Sequence, residues 1–402
     1  MKTQSESADL WDVVVVGAGP TGLLLAGELA AQGLRVAVLE RDLEPDPTPK
    51  GNGIVGRASV ELAKRGVFAG TDFKAIRPPR FQFGPIPLRL GLWPASPLHI
   101  LPIPQRRLEE LLERRAVERG AEVRRGHVVL GIQQTEARVE AEVIAGGAPH
   151  RMLARYVVGC DGARSTVRKS AGIDFPGFTS DEISRIARVT IPAGRITRKG
   201  EDFEIPGAGR VAAMRPNRLP GGGFSIAPAR ALDPTSPKDL YVISTHEARR
   251  DTDPREALTA DDLRASLHRV LGADLPFTDA TAMRTTVGNS RIASTYRAGR
   301  VLLAGDAAHI FNAGGSSLNA GLLDALELAS RLTAALRSGS PEGLDAYEKA
   351  RRPAGLRTLS HTRVQAALSR DDGNATSLRE IMGHLLASRG AARRLARLLD
   401  NP

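Results

Sequence analysis

A glycine-bearing turn near the start of the chain constrains its fold more than any other segment. Residues 17–22 form the hexapeptide Gly-Ala-Gly-Pro-Thr-Gly, which lies between a run of valines typical of a buried parallel strand and an apolar stretch with helical character. Gly17 permits a tight turn, Gly19 lets backbone amides approach a phosphate, and Gly22 lets the helix pack close to the strand. Because a helix N-terminus favours a bound anion, the segment predicts a βαβ unit that binds a pyrophosphate.

A second strand ends in an acidic residue at the offset that a nucleotide-binding unit requires. Residues 34–39 form this predicted strand, and Glu40 follows directly. A carboxylate at this position accepts hydrogen bonds from a ribose. The alternative, a chance glycine turn with an exposed glutamate, does not account for strand, turn, helix, strand and acid in this order. We therefore expect Glu40 to anchor the adenosine ribose of a dinucleotide.

A similar glycine spacing at residues 51–56 lacks the context that would give it the same meaning. It follows Pro45, Pro47 and Pro49, where the first glycine turn follows a strand. We interpret this segment as a loop that leads into a helix at residues 59–65. The loop can still touch the cofactor.

A second glycine turn late in the chain complements the first. Gly305 and Asp306 come directly after the apolar strand predicted at residues 300–304. A charged acceptor at a strand end is well placed to bind hydroxyl groups, and its use as a helix N-cap is compatible with that role. With Glu40 at one end and Asp306 at the other, the two turns predict one bound FAD held at both ends.

The positive charge of the chain does not indicate a nucleic-acid partner. The 402 residues carry a formal net charge of +11, most of it from scattered arginines, and only 4% of the residues are aromatic. Base-stacking platforms need aromatic side chains interleaved with basic ones, and none occur here. We interpret the arginines as a solvated surface that also serves the FAD pyrophosphate and an anionic nicotinamide reductant.

The remaining composition favours a cytoplasmic protein without disulfides or metals. Cys160 is the only cysteine, so no internal disulfide can form, and it is expected to pack as a small buried side chain. The polar N-terminus is unlike a signal peptide, and no apolar run approaches the length of a membrane span. No cluster of histidines, cysteines and carboxylates has the spacing of metal ligands, and no nucleophilic triad is evident.

The order of predicted elements divides the chain into three units of an α/β protein. A discontinuous, Rossmann-like FAD-binding domain is predicted at residues 1–77, 105–180 and 280–340. A substrate-binding domain of antiparallel sheet is inserted at residues 78–104 and 181–279, where short apolar runs alternate with Gly and Pro. C-terminal helices occupy residues 341–402. Within these units we predict helices at residues 106–120, with Val117 on the apolar face, at 260–271 and at 318–336.

Four motifs in this order resemble those of the single-component flavin hydroxylases related to p-hydroxybenzoate hydroxylase, and more narrowly the branch that oxygenates aromatic polyketides. The resemblance covers nearly the whole chain. The motifs are residues 12–22 with Glu40-Arg41, Lys-Gly-Asn-Gly-Ile-Val-Gly-Arg at 50–57, Gly-Cys-Asp-Gly-Ala-Arg-Ser at 159–165, and Gly-Arg-Val-Leu-Leu-Ala-Gly-Asp-Ala-Ala-His at 299–309.

The resemblance implies a role for each matching position. Asp306 resembles the carboxylate that binds the ribityl chain, Gln105 a polar contact near the diphosphate, and Asp161 part of a motif shared between FAD and reductant handling. His309 is expected to be structural and not a general base. The predicted cofactor-binding residues are Gly17, Gly19, Pro20, Thr21, Gly22, Glu40, Arg41, Gln105, Asp161, Gly305, Asp306, Gly314, Gly315, Ser316, Ser317, Leu318 and Asn319.

The loop after His309 departs from the family pattern. The family has a proline pair and then Gly-Gly-Gln-Gly-x-Asn along the flavin ring, whereas this chain is one residue shorter, with Asn312 in place of the prolines and Ser316-Ser317 in place of Gln-Gly. Two interpretations stay open. Ser317 adds bulk beside the ring, where oxygen activation needs a tight protected space, or both serines are N-caps of the following helix.

The resemblance implies an FAD-dependent monooxygenase that uses NAD(P)H and O2 on a hydrophobic small molecule, a polycyclic or polyketide-type intermediate. It implies no catalytic acid or base, since the cofactor carries the chemistry. The altered loop motivates an alternative, in which FAD is architectural and the protein is a non-redox cyclase of a polyketide intermediate. A third hypothesis, a binding protein without turnover, rests only on the fact that fold does not imply function. The protein is expected to be a monomer or homodimer.

Overall fold

The computed structural model describes residues 10–45, 53–76, 80–91, 93, 96–231, 235–248, 256–312, 317–370 and 372–400. Its strands are β1 Leu10–Val16, β2 Val36–Glu40, β3 Ile54–Val55, β4 Arg80–Phe83, β5 Ile86–Arg89, β6 Ile100–Leu101, β7 Glu122–Arg125, β8 His127–Gln134, β9 Val139–Ala145, β10 Ala148–Gly159, β11 Gly177–Thr190, β12 Thr197–Lys199, β13 Asp202–Ile205, β14 Gly209–Val211, β15 Asn217–Leu219, β16 Gly222–Pro228, β17 Leu240–Ala248, β18 Ala280–Ile292, β19 Arg297–Ala298, β20 Val301–Leu303 and β21 His309–Ile310. Its helices are α1 Pro20–Ala30, α2 Arg57–Lys64, α3 Gln105–Glu118, α4 Thr166–Ser170, α5 Ala260–Leu271, α6 Ser317–Ser338, α7 Asp345–Ser369, α8 Gly373–Ala387 and α9 Arg389–Leu399.

The first sheet is built around the valine-rich strand β1. Its order is β19-β20-β10-β1-β2-β7, and the pairs β20-β10, β10-β1, β1-β2 and β2-β7 are all parallel. Val13, Val14 and Val15 are fully buried, as expected of a strand covered on both faces. Helices α1, α3 and α6 pack on this sheet through the main hydrophobic core. The predicted strand, glycine turn, helix and second parallel strand at the start of the chain are therefore present.

The second sheet is antiparallel and has the order β15-β16-β17-β11-β18-β21. Helix α5 braces one face of it and begins at the predicted residue, because Thr259 and Asp262 form a reciprocal capping box. Strand β18 belongs to this sheet and not to the first one. The predicted domain boundary at residue 280 therefore falls at the start of a strand of the second sheet, since β18 pairs with β11 along most of its length.

The hairpin β4-β5 forms a sheet of its own and packs against the C-terminal helices. Its inward side chains share a hydrophobic cluster with α7, α8 and α9, which includes Phe83, Ile86, Leu88, Leu368, Leu386 and Ala396. The segment 78–104, predicted to belong to the substrate sheet, is thus attached to the helical C-terminus. It faces the second sheet across a cavity described below.

One residue of helix α3 that was predicted on its apolar face is exposed. Leu108, Leu111 and Leu112 are buried as predicted, whereas Val117 is 54% exposed. Its place on the apolar face is taken by Ala116, which packs against Gly27 of α1. The small side chain allows the two helices to approach closely, and this rotates Val117 towards solvent.

The short strand β21 links the two sheets. It follows the second glycine turn and pairs with Arg291 and Ile292 at the end of β18. The second glycine turn therefore lies where the first sheet gives way to the second. Within the described residues, no helix is both long and apolar enough to cross a membrane.

Candidate functional site

The parallel strands of the first sheet bring the predicted cofactor residues to one edge. Strands β1, β2, β10 and β20 run in the same direction and end at Val16, Glu40, Gly159 and Leu303. The segments that follow these ends contain both glycine turns and Asp161. In open sheets of this kind, ligands bind outside the carboxyl ends of the strands.

The first turn has the backbone that only glycine tolerates. Gly17 has φ +106°, and a Cβ there would lie 2.4 Å from the carbonyl oxygen of Cys160. A Cβ on Gly22 would lie 2.1 Å from the carbonyl oxygen of Gly17, whereas one on Gly19 would meet no atom within 4 Å. Gly17 and Gly22 are thus required by close packing, and Gly19 borders open space.

The N-terminus of α1 is arranged to receive an anion. Pro20 is the first helical residue, and Gly19 at the N-cap provides no side-chain hydrogen bond to the amides of the first turn. Described helices such as α5 and α8 do have such a side-chain cap. Because amides at a helix start need an acceptor, an external anion such as a pyrophosphate suits this position.

Glu40 is held at the first turn. Its carboxylate accepts hydrogen bonds from the amide of Ala18 at 2.8 Å and from the amide of Asp42 at 3.1 Å. A carboxylate has about four acceptor positions, so two remain for ribose hydroxyls. Arg41 beside it is exposed and lies 3.8 Å from the Asp42 carboxylate.

The two glycine turns touch each other. Gly305 has φ +60°, and a Cβ there would lie 2.7 Å from Oγ1 of Thr21, while one on Gly321 of α6 would lie 2.5 Å from the same atom. Thr21 therefore lies in a gap that both glycines leave open. We refer to Thr21, Gly305 and Gly321 as the clasp. Asp306 follows in a short 3-10 turn with an exposed side chain.

A buried network of charged side chains is hydrogen-bonded to the second glycine turn. Asp324 of α6 accepts hydrogen bonds from Nε of Arg351 at 2.7 Å and from the amide of Gly305 at 3.2 Å, and its Oδ2 lies 2.5 Å from Nε2 of His309. The side chains of Asp324 and His309 are 1% exposed. Burial alone would raise the pKa of Asp324, but His309 and Arg351 together lower that pKa below its ordinary value. The buried contact with Asp324 supports a structural role for His309, which stays a prediction.

The loop along the predicted flavin ring is tied to its surroundings at each end. Oγ of Ser317 accepts a hydrogen bond from the amide of Phe311 at 2.9 Å, and the amide of Asn312 donates to Oγ of the buried Ser290 at 2.9 Å. A proline at position 312 could not make the second bond. Gly314, Gly315 and Ser316 lie outside the described residues.

Asn319 connects the start of α6 to Val55, which lies within the glycine-spaced segment at residues 51–56. Its side-chain oxygen accepts a hydrogen bond from the amide of Val55 at 2.7 Å. Leu318 precedes it in the first turn of α6 and packs against the main core. The described part of the motif at residues 50–57, which is residues 53–57, thus reaches the start of α6, and its contact with the cofactor stays a prediction.

Two other predicted residues have structural partners. Asp161 accepts hydrogen bonds from Oγ of Ser165 and from the amides of Thr166 and Val167, so it caps α4. Burial raises the pKa of its carboxyl group, and these hydrogen bonds act in the opposite direction. Gln105 begins α3 and donates to Glu109 at 2.8 Å. Their contacts with FAD stay predictions.

A cavity of about 550 Å³ lies between the second sheet and the hairpin β4-β5. This is the size of a pocket for a drug-sized ligand. Its lining is Phe81, Gln82, Gly84, Pro85, Pro87, Ile100, Glu182, Met214, Arg215, Pro216, Asn217, Arg218, Gly223, His246, Gln365 and Ser369. Ile100 pairs with Val55, so one end of the cavity adjoins the segment bound to Asn319.

The predictions missed the partners of His309. Asp324 occupies a core position of α6, four residues after Ala320 and four before Leu328, both buried. A carboxylate at such a position signals a buried partner, and this signal was present in the sequence. Arg351 could not be identified as that partner, because the pairing depends on how α7 packs on α6.

The residues present fit FAD. The cradle at Gly19, the uncapped start of α1, the remaining acceptor positions of Glu40 and the exposed Asp306 at the other turn accommodate a dinucleotide from pyrophosphate to ribityl chain. FAD, when bound there, supplies redox chemistry that no protein side chain supplies. Across the described ranges, no group of three or more His, Cys, Asp and Glu residues is arranged to hold a metal ion.

The chain matches a family model described as "FAD binding domain" over residues 11–362. It is 38% identical, over 97% of its own length and 76% of the relative's, to a 12-dehydrotetracycline 5-monooxygenase/anhydrotetracycline 6-monooxygenase of Streptomyces rimosus. The predicted membership of the flavin hydroxylases is therefore confirmed.

Two solved structures resemble the whole fold. The anhydrotetracycline hydroxylase OxyS from Streptomyces rimosus has a TM-score of 0.80 and 36% identity, with 97% of this chain and 76% of that chain covered. The Diels-Alderase PyrE3 of pyrroindomycin biosynthesis has a TM-score of 0.84 and 30% identity, with 98% and 80% covered. The predicted fold class is confirmed, and the same fold supports a hydroxylase and a cyclising enzyme.

Proposed function

Because the chain belongs to the FAD binding domain family of flavoproteins, we propose that it is an FAD-dependent monooxygenase of a polycyclic or polyketide-type intermediate. The observation that carries the proposal is the clasp, which joins the pyrophosphate turn to the ribityl turn. The cavity is large enough for a fused-ring substrate, and it is linked to the start of α6 through Ile100 and Val55. NAD(P)H is the proposed reductant and O2 the proposed oxidant.

The chain's own residues bind and orient FAD and shield the substrate from water. The amides at the start of α1 hold the pyrophosphate, Glu40 the ribose and Asp306 the ribityl chain, which together fix the position of the ring system. The second sheet and the hairpin β4-β5 enclose the substrate and exclude water, which protects reactive species from side reactions. No side-chain nucleophile or general acid takes part, and the cofactor supplies the redox step.

A non-redox cyclase with architectural FAD is the second candidate. It is supported by Asn312, whose amide bonds to Ser290 where the family has prolines, and by the likeness to PyrE3. In this case the cavity would fold an extended substrate into a reactive conformation, and flavin would line one wall.

Anaerobic reduction distinguishes the candidates. The purified yellow protein is mixed with NADPH or NADH, with and without anhydrotetracycline as a probe substrate, while flavin absorbance is followed. For a monooxygenase we expect bleaching, then product formation on admission of O2. Product formed from a linear polyene probe without bleaching, reductant or oxygen would refute the monooxygenase and favour the cyclase. A colourless protein that does not take up added FAD would refute both.

A further inference from the structure

The cavity has one wall made by a single face of the second sheet. Ser184 of β11 pairs with His246 of β17, and Glu182 lies two residues before Ser184 on the same strand. Because side chains two apart on a strand share a face, all three point away from α5. The side that α5 covers contains Ala187 and Ile243.

The opposite wall is largely apolar. Phe81, Pro85, Pro87 and Ile100 line it from the hairpin and the strand that follows. The hairpin is fixed to α7 by a hydrogen bond of 3.0 Å from the amide of Gly84 to Gln365. A flat hydrophobic ligand therefore fits between an apolar wall and a sheet face with a few polar side chains, which is the usual make-up of a small-molecule site.

His246 is already satisfied and uncharged. Its Nδ1 lies 2.7 Å from Oγ of Ser184 and its Nε2 lies 3.3 Å from Oγ of Ser244. Burial lowers the pKa of the imidazole below its ordinary value, so the ring is neutral at pH 7. Gly223 on the neighbouring strand leaves room for the ring. His246 therefore forms part of a rigid wall and supplies no positive charge to Glu182.

The Glu182 side chain differs from that of His246 in its hydrogen bonding. Across the parts of the chain that the structure describes, its carboxylate makes no hydrogen bond to protein, although it lines the cavity. Burial raises the pKa of this carboxyl group, and the Arg218 guanidinium partly offsets that effect. Arg218 itself donates to the carbonyl oxygen of Ser369. A half-buried acceptor without a protein donor is costly unless a ligand or water donates to it.

We propose that Glu182 is a specificity-determining residue that accepts a hydrogen bond from a phenolic or enolic hydroxyl on the edge of a polycyclic substrate. This inference rests on the proposed function for its substrate class. A hydroxyl at this position replaces the water that binding displaces, whereas an apolar edge leaves the acceptor unpaired. Sites built to bond a substrate hydroxyl reject analogues that lack it.

The position of Glu182 also orients the substrate. Strand β18 pairs with β11 on the side away from β17, with Val287 opposite Ile183 and a register shift between Thr179 and Ile183. The Asn312 side chain lies over Gly288, where an added Cβ would be 2.1 Å from its amide group. A hydroxyl bound to Glu182 thus places the hydroxylated edge of the substrate against β11, a strand of the sheet that Asn312 contacts through Ser290.

A pair of tricyclic probes tests this inference without turnover. We would measure the binding of 2,6-dihydroxyanthraquinone and anthraquinone to the FAD-loaded protein by equilibrium dialysis. A hydrogen bond to a charged group contributes about 1.5–3 kcal/mol, which corresponds to roughly 10–100-fold in affinity. We expect Glu182→Ala to weaken binding of the dihydroxy probe by that factor. Glu182→Gln, whose amide oxygen still accepts a neutral hydrogen bond, should weaken it by about 5–10-fold, and both variants should bind anthraquinone within about threefold of the unsubstituted protein. Asp181→Asn, an equal charge change at the exposed neighbour, should affect neither.

Several outcomes would overturn the inference. These are a dihydroxy probe that fails to bind the unsubstituted protein, equal losses for both probes, or equal effects of Glu182→Gln and Asp181→Asn. Thermal unfolding of each variant, Glu182→Ala included, separates loss of the contact from loss of the fold. NADPH-dependent oxygen uptake by the unsubstituted protein tests the proposed function separately, since the binding assay needs neither reductant nor oxygen.

Discussion

Replacing Asp324 by asparagine should remove the charge on which the second glycine turn depends. The substitution keeps the shape of the side chain but neutralises the partner of Arg351, whose side chain is 10% exposed. Arg351 would keep its hydrogen bond of 3.2 Å to the carbonyl oxygen of Ala320. The buried positive charge of Arg351 would therefore lose the carboxylate that neutralises it.

The expected loss is large because the pair is buried. Breaking a buried ion pair by removing one partner costs about 3–5 kcal/mol, and domains have a total unfolding free energy of roughly 5–15 kcal/mol. A fifth or more of the stability should therefore disappear. The asparagine side chain keeps one carbonyl oxygen with two acceptor positions, so Nε of Arg351, the amide of Gly305 and His309 Nε2 would compete for fewer acceptor sites.

Urea unfolding and FAD affinity measure this effect together. Unfolding is followed by far-UV circular dichroism, and FAD binding by the quenching of flavin fluorescence. The matched control is Asp345→Asn, which removes the carboxylate of the exposed pair with Arg297 and should cost at most about 1 kcal/mol. We expect Asp324→Asn to lower the urea midpoint well beyond the control and to weaken FAD binding, since Gly305 belongs to the clasp.

Equal urea midpoints for Asp324→Asn and Asp345→Asn would refute the reasoning. That result would mean that the buried network contributes no more than a surface pair. A lowered midpoint with unchanged FAD affinity would refute only the coupling between the network and the second turn.

Three further predictions concern the cofactor edge and the C-terminus. Asp306→Ala should weaken FAD retention on gel filtration, because the ribityl hydroxyls lose a charged acceptor. Gly17→Ala should abolish FAD binding, since φ is +106° and the new Cβ would lie 2.4 Å from a backbone oxygen. Asp400 accepts a hydrogen bond from the amide of Arg57, and burial raises its pKa from 3.8 to about 6. Its folded pKa exceeds its unfolded pKa because the charged carboxylate is costly to bury, so the docking of α9 should be most stable below pH 4 and weaken as pH rises through 6, measured by hydrogen exchange of α9.

Each of these predictions has a control and a contrary result. Unchanged FAD occupancy in Asp306→Ala would show that this carboxylate does not hold the ribityl chain. Gly33→Ala shares a left-handed backbone but meets no atom within 4 Å, so it should lower stability by only about 1 kcal/mol and retain FAD. Asp400→Asn should remove the pH dependence of α9, and a dependence that persists would assign it to another group.

The sequence predicted local features well and tertiary partners poorly. The turn at Gly17 and the start of α5 follow from residues adjacent in the chain, such as the cap Thr259, and both were confirmed. The error at Val117 arose because Ala116 packs on another helix, which no local pattern encodes. The partnership of Asp324 with Arg351 was missed for the same reason.

The domain boundaries and the site show the same contrast between local features, which the sequence predicted well, and tertiary contacts, which it predicted poorly. Strand β18 looked like the return of the first domain, and only its pairing with β11 places it in the second sheet. The cofactor edge could be anticipated because parallel strands deliver their ends to one side. The cavity wall that contains Glu182 could not be anticipated, because the register between three strands decides which side chains face the cavity.

The clasp has a consequence for the order in which the protein is made. Thr21 leaves the ribosome early, whereas Gly305 and Gly321 belong to the last third of the chain. At about 5–20 residues per second, roughly 15–60 s separate the synthesis of the two turns. Early in this interval, the apolar strand β1 has no β10 to pair with. After β10 has been made, the sheet still lacks its later strand β20. Cofactor capture is therefore a late event in biosynthesis, and slower growth at low temperature or added riboflavin should raise the yield of yellow protein.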